Sequence, residues 1–193
     1  FGRKEKKSDK FLKALKKRFL TSSKVSITYN SNFTKSYAEK HLRLSKHSRS
    51  SVVTNGIKLS SYFDKEVSDQ KAVAYKKLEN QLKGKFVVGT SSRFAGFKRI
   101  DRLINAFSEL SNDGTSVLLL VGDGVLMPAL QKQVEALDLQ ERVIFTGFVD
   151  EVRDYQSLMD VCVFASESEP FGLVAVETLS LGKPTLVFQN GGG

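Results

Sequence analysis

Cysteine is nearly missing from these 193 residues: Cys162 stands alone, which excludes a disulfide framework and a zinc cluster. Its place inside the apolar run VCVFAS marks it as a small buried hydrophobe. Long apolar runs are missing as well. No uninterrupted stretch approaches the roughly 20 residues that span a bilayer. The opening FGRKEKKSDKFLKALKKRFL has no apolar signal-peptide core, so nothing in it argues for export and the chain reads as intracellular. Internal repeats and low-complexity tracts are absent too.

What is present is 40% hydrophobic residues, ordinary for a chain that buries one sizeable core or one domain and part of another. The net charge of +9 hides an asymmetry. Residues 1–84 carry 21 Lys and Arg against 7 Asp and Glu, a net of +14, whereas residues 85–193 carry 9 against 14, a net of −5. The two segments therefore read as parts of different domains. A basic half suits nucleic acid, an anionic membrane or an acidic partner, or is simply a well-solvated surface.

From Lys85 onward strands and helices alternate. FVVGT (86–90) reads as a buried strand. KRIDRLINAFSEL follows, with Ile100, Leu103, Ile104, Phe107 and Leu110 on one helical face. VLLLV (117–121) is the next strand, closed by Gly122-Asp123-Gly124. A helix with Leu126, Leu130, Val134 and Leu137 comes after it, and Pro128 fits because it falls near the first turn. RVIFT, a short helix around Val152, Tyr155 and Leu158, VCVFAS, the helix LVAVETLSL and TLVF complete the series. The pattern predicts an α/β fold: a Rossmann-like parallel sheet of about five strands with helices on both faces. A partial α/β segment precedes it. KVSITY resembles a strand, Asn30 or Ser31 is placed to cap a helix through FTKSYAEKHL, and SVVTNG resembles a second strand. The expected organisation is 1–56 as the end of one Rossmann-like domain, 57–84 as a linker with a surface helix, and 85–193 as most of a second domain.

Open parallel sheets bind ligands at the carboxyl ends of their strands, where helix N-termini direct amides outward. Three such places carry suggestive residues. In SSRFAGFKRI, Arg93 and Lys98 bracket a glycine, as a diphosphate clamp would, although solvated loop charges would read the same way. In SESEPFG, the amides of Phe171, Gly172 and Leu173 are expected to lie unpaired at the start of the next helix. Glu177 lies further along that helix, on roughly the face of Leu173. A carboxylate there avoids phosphate and prefers neutral hydroxyls such as a ribose diol, and Glu169 before the turn reaches the sugar side. The bland alternatives are a helix-dipole partner for Glu169 and an exposed helical acid for Glu177. The terminal QNGGG fits close backbone approach or simple disorder. No Gly-x-Gly-x-x-Gly follows the first strand, so a dinucleotide-dependent dehydrogenase has the least support.

Residues Phe86 to Gly193 resemble the C-terminal domain of retaining GT-B glycosyltransferases of the group 1 (family 4) class. The resemblance is carried by the Arg–Lys pair of SSRFAGFKRI, by VGDG, by VIFTGFV, and by EPFGLVAVE with GKPTLVFQNGGG. KVSITYNSNFTKSY is similar to the last strand and helix of the partner N-terminal, acceptor-side domain, and VVTNGI to the interdomain linker. The resemblance implies transfer of a sugar from a nucleoside-diphosphate sugar to a hydroxyl acceptor with retention, in glycan, polysaccharide or glycolipid biosynthesis. It gives catalytic roles to Arg93, Lys98 and Glu169. Phe148 and Val149 would take the base, the Phe171–Gly172–Leu173 backbone and Glu169 the sugar and phosphates, and Glu177 the ribose. It implies no metal and no cofactor, and no Asp-x-Asp occurs in the chain. Ser92-Arg93 replaces the family's usual Gly-Arg while keeping the guanidinium. The family needs two complete domains and continues beyond the equivalent of Gly193, so this chain is expected to bind donor at best. A GT-B-like epimerase or phosphorylase and a basic nucleic-acid module are the alternatives. The last is disfavoured because no aromatics interleave with the basic residues, so no nucleic-acid partner is expected.

DKFLKALKKRFL places Phe11, Leu12, Leu15 and Phe19 on one face, with Lys10, Lys13, Lys16 and Lys17 largely around the other. Such a helix either attaches to an anionic membrane carrying lipid-linked acceptors or docks on a domain core. The expected partners are thus a nucleotide sugar, a glycan or lipid-linked acceptor, and an anionic membrane contacted through residues 10–20. The expected location is the cytoplasm, peripheral at the inner face of the membrane.

Overall fold

The computed structural model describes residues 18–20, 22, 24–42, 49–58, 73–110 and 114–188. The chain divides into two compact units, Phe1–Asn55 and Gly56–Gly193. The C-terminal QNGGG stretch and most of the basic amphipathic segment lie outside the described residues; within that segment 18–20 are helical, and Phe19 is exposed.

The first unit holds β1 (Ile27–Tyr29), α1 (Asn32–Leu42) and β2 (Ser50–Val52), with the two strands parallel. Ser31 rather than Asn30 caps α1. The Thr34 amide donates to Ser31 Oγ at 3.1 Å, and the Ser31 amide donates back to Thr34 Oγ1 at 3.2 Å. Asn30 takes the Thr34 hydroxyl instead, at 2.8 Å. Tyr29 and Ala38 are buried against Leu20, Ile27 and Val52.

The second unit begins with α2 (Val73–Gln81), followed by β3 (Phe86–Ser91) and α3 (Ile100–Ser108). Then come β4 (Ser116–Val121), α4 (Met127–Ala136), β5 (Val143–Gly147), α5 (Val152–Ser157), β6 (Val161–Phe164), α6 (Leu173–Ser180) and β7 (Thr185–Val187). The five strands form one parallel sheet in the order β5-β4-β3-β6-β7. Alternation along β4 sends Leu118 and Leu120 to one face, where Ile104 and Phe107 of α3 and Leu130 and Val134 of α4 cover them. Val117, Leu119 and Val121 go to the other face, beside Met159 and Cys162. Cys162 is the expected buried hydrophobe, and burial pushes its thiol up to about 11.

Two expectations need correction. The helical spacing puts Leu110 and Leu137 on the apolar faces of their helices, yet they are exposed because α3 stops at Ser108 and α4 at Ala136. The stretch expected as linker and surface helix also contributes to the core. Leu78 of α2, and Leu82 just beyond it, pack with Val87, Leu119 and Met159, while Tyr75 meets Tyr155 edge to face at 5.5 Å. Charges on the other side of α2 conceal that seam in the sequence.

The connections step outward from β3 to β4 and β5, then cross back to place β6 on the opposite side of β3. The winding reverses between β3 and β6. A crevice therefore opens beyond the carboxyl ends of these two strands, bounded by the β3–α3 and β6–α6 loops.

Candidate functional site

The β3–α3 loop is held by backbone pairing. The Ser92 amide donates to Val121 O at 3.0 Å and the Phe94 amide to Asp123 O at 2.8 Å, while the Leu126 amide donates to Phe94 O at 3.2 Å. Phe94 is wholly buried, and Arg93 between the two bonds is exposed, so a fixed backbone presents its guanidinium outward. This pairing needs glycine after β4. Gly122 has φ 131°, and a Cβ there would lie 2.0 Å from Ser92 O; one on Gly124 would lie 2.4 Å from Phe94 O.

A 3-10 turn, Gly96–Lys98, then presents Lys98, whose ammonium lies 5.4 Å from the centre of the Phe97 ring. Lys98 forms an ion pair with Glu169. Neighbouring contacts join the same two loops: the Glu167 amide donates to Phe97 O at 2.9 Å, and the Glu167 carboxylate pairs with Arg99 and with Arg102, the latter at 2.7 Å. Arg99 occupies a left-handed conformation (φ 52°, ψ 41°) at the start of α3. Its hydrogen bonds to Asp101 hold that carboxyl below the usual carboxylate range.

Two hollows meet at Arg93. The first, of about 560 Å³, is lined by Arg93, Phe148, Val149, Gln156, Val174 and Glu177, among others. The second is an open groove, also of about 560 Å³, lined by Arg93, Phe97, Lys98, Ser168, Glu169 and Pro170. Gly172 caps α6 in the left-handed conformation (φ 81°) and lines a small third hollow with Glu169. No described residue accepts a hydrogen bond from the amides of Phe171, Gly172 or Leu173.

The structure thus brings Arg93, Phe148, Val149 and Glu177 to one crevice and Arg93, Lys98 and Glu169 to the adjoining groove. Phe171 and Leu173 line neither of these two. Glu177 shares the crevice wall with Val174, three residues earlier, and not with Leu173 as expected. Gln156 was missed. It is buried, and its Nε2 donates to Ser91 Oγ at 2.9 Å, bracing the end of β3 behind the crevice. Its only signal is a polar residue on the inward side of the short α5. Among the described residues, no three His, Cys, Asp or Glu side chains come together as metal ligands.

The open parallel sheet, with an arginine at its switch point flanked by acids and an aromatic ring, is a Rossmann-like domain, and the likeness to solved glycosyltransferases given below places it in the GT-B class. The chain belongs to the group 1 glycosyltransferases: the family described as "Glycosyl transferases group 1" matches residues 74–193. It is 32% identical over 127 residues to the N-acetyl-alpha-D-glucosaminyl L-malate synthase of Bacillus anthracis, covering 62% of this chain and 33% of that one. It is 30% identical over 145 residues to the alpha-monoglucosyldiacylglycerol synthase of Streptococcus pneumoniae, covering 72% and 32%. A crystal structure of Anabaena HepE in complex with UDP superposes with TM-score 0.71 at 27% identity, covering 86% of this chain and 45% of that one. The chain therefore spans about a third of the length of these curated relatives.

Proposed function

We propose that this chain carries the donor-binding part of an enzyme that moves a sugar from a nucleoside-diphosphate sugar to a hydroxyl acceptor with retention. Residues 1–56 are the end of the acceptor-side domain, 57–84 the connection, and 85–193 the donor domain. The observation that carries this reading is the position of Arg93 on the wall of both hollows. A donor laid across it has its base against Phe148 and Val149, its ribose at Glu177, its diphosphate at Arg93 and Lys98, and its sugar at Glu169. Both hollows fall in the size range of small-ligand sites. The Phe171–Leu173 amides at the start of α6, outside the lining of these two hollows, are further hydrogen-bond donors for the phosphates in this reading.

In this reading the bond between the anomeric carbon and the diphosphate oxygen breaks, and its electron pair leaves with the diphosphate. The two cations, rather than a metal ion, stabilise the charge that develops there. The departing oxygen takes the proton of the incoming hydroxyl, which bonds to the same face of the sugar. The relatives named for a diacylglycerol glycolipid and for a UDP complex support a lipid or glycan acceptor and a nucleotide donor.

A thermal-shift screen of UDP, GDP, ADP and their sugar-linked forms tests the reading directly. Glu177→Ala is expected to weaken nucleoside-diphosphate binding by roughly tenfold, since a carboxylate holding a diol contributes about 1.5 kcal/mol. Binding of inorganic pyrophosphate should not fall. Equal losses for both ligands would remove Glu177 from the ribose.

The basic segment 10–20 places the enzyme at the cytoplasmic face of an anionic membrane. No helix among the described residues is long and apolar enough to cross one. Co-sedimentation with vesicles containing anionic lipid is expected, and should be lost when Lys10, Lys13, Lys16 and Lys17 become Gln. Equal binding to neutral vesicles, or none at all, rules this out.

A further inference from the structure

The ion pair between Lys98 and Glu169 sets two groups of the site against each other before any ligand arrives. Both side chains are largely shielded, at 15% and 20% exposure, so solvent screens the pair less than it would a surface contact. Phe97 packs beside the ammonium, and the bond from the Glu167 amide to Phe97 O joins the two loops that carry the partners. Both belong to the groove that Arg93 shares with the main crevice.

We propose that Glu169 gives the site its preference for donor over spent diphosphate by competing with phosphate for Lys98. The inference rests on the donor-site reading above. A diphosphate seated at Arg93 must draw the ammonium away from Glu169, or share it. Glu169 is then a carboxylate beside phosphate charge with its cation diverted, an arrangement that like-charge repulsion opposes.

A sugar attached to the diphosphate changes this balance. Its hydroxyls offer Glu169 neutral hydrogen-bond donors, so the acid keeps partners while Lys98 turns to the phosphate. The donor therefore exchanges one satisfied arrangement for another. A diphosphate that has lost its sugar leaves Glu169 without those hydroxyls. Glu169 then recaptures Lys98 and weakens the hold on the product. The acid that grips the sugar before transfer thereby helps release the diphosphate afterwards.

Calorimetry on the full chain tests this with UDP, GDP and ADP and with their glucose-linked forms, on the parent and on Glu169→Gln and Glu169→Ala. Both variants free the ammonium and remove a negative charge. Each is expected to bind the nucleoside diphosphate about tenfold tighter than the parent. The sugar-linked form should gain much less, because hydroxyl contacts are lost at the same time, so the preference for donor over diphosphate narrows. Using two variants of different size separates the charge effect from altered packing. If neither binds diphosphate more tightly while Lys98→Ala still weakens it, the competition does not exist and the donor-site reading stands. If Arg93→Ala and Lys98→Ala both bind diphosphate like the parent, the donor site itself is wrong and this inference falls with it.

Discussion

Arg93→Ala is expected to weaken nucleoside-diphosphate binding by about 30- to 150-fold, the loss of about 2–3 kcal/mol from charged hydrogen bonds to phosphate. Arg93 is exposed and held by its own backbone, so its removal should leave the melting temperature of the unliganded protein within about 1 °C of the parent, as for other exposed sites. Arg93→Lys keeps the charge but loses the planar fork, and should recover only part of the affinity. Lys98→Ala is expected to cost less, because its ammonium is already neutralised by Glu169 before ligand arrives. Titration of each variant with the best-bound of UDP, GDP and ADP, at low and high salt, measures these differences. The arginine effect should shrink as salt rises. Diphosphate binding equal to the parent in Arg93→Ala would remove the residue on which both hollows converge and end the donor-site reading.

Much of this arrangement is legible from sequence because the second unit obeys period rules without interruption. Strand runs such as VLLLV and the helical spacing of Ile100, Leu103, Ile104 and Phe107 specify elements, and alternation between them specifies a parallel sheet. Once that sheet is granted, Arg93, Phe148, Val149 and Glu169 must lie beyond strand ends, where such sheets bind ligands. The helix face of Glu177 is harder. Residues 173 and 174 both lie about one turn before it, and only packing decides that Val174 shares the crevice.

The remaining gaps are tertiary. Gln156 on α5 braces Ser91 at the end of β3, 65 residues away along the chain, so no local pattern marks it. The Lys98–Glu169 pair joins loops 71 residues apart, and nothing in SSRFAGFKRI or SESEPFG states which acid meets which base. Seam and charge are mixed in AYKKLENQLKGK, where Tyr75, Leu78 and Leu82 form a narrow stripe three and four residues apart. Counting charges marks that stretch as surface, whereas its spacing marks it as a packed helix.

Gly122→Ala is expected to be strongly destabilising in the second unit, because it meets two obstacles together. At φ 131° the backbone lies where L residues rarely go, a cost of about 1–3 kcal/mol. The added Cβ would also stand 2.0 Å from Ser92 O, a backbone atom with no side-chain freedom to move aside. Separation would break the bond from the Ser92 amide to Val121 O and loosen that from Phe94 to Asp123 O, each contributing about 1 kcal/mol. A combined loss of roughly 3–5 kcal/mol lowers the melting temperature of a unit this size by roughly 10 °C. Gly114→Ala is the matched control: its φ of 72° is also positive, but no described residue lies within 4 Å of a Cβ there. It should cost only about 1 kcal/mol for the left-handed conformation. Because Arg93 lies between the two threatened bonds, Gly122→Ala should also lose diphosphate affinity at temperatures where it remains folded, and Gly114→Ala should not. Equal melting temperatures for the two variants would mean that close backbone contact does not fix the arginine loop.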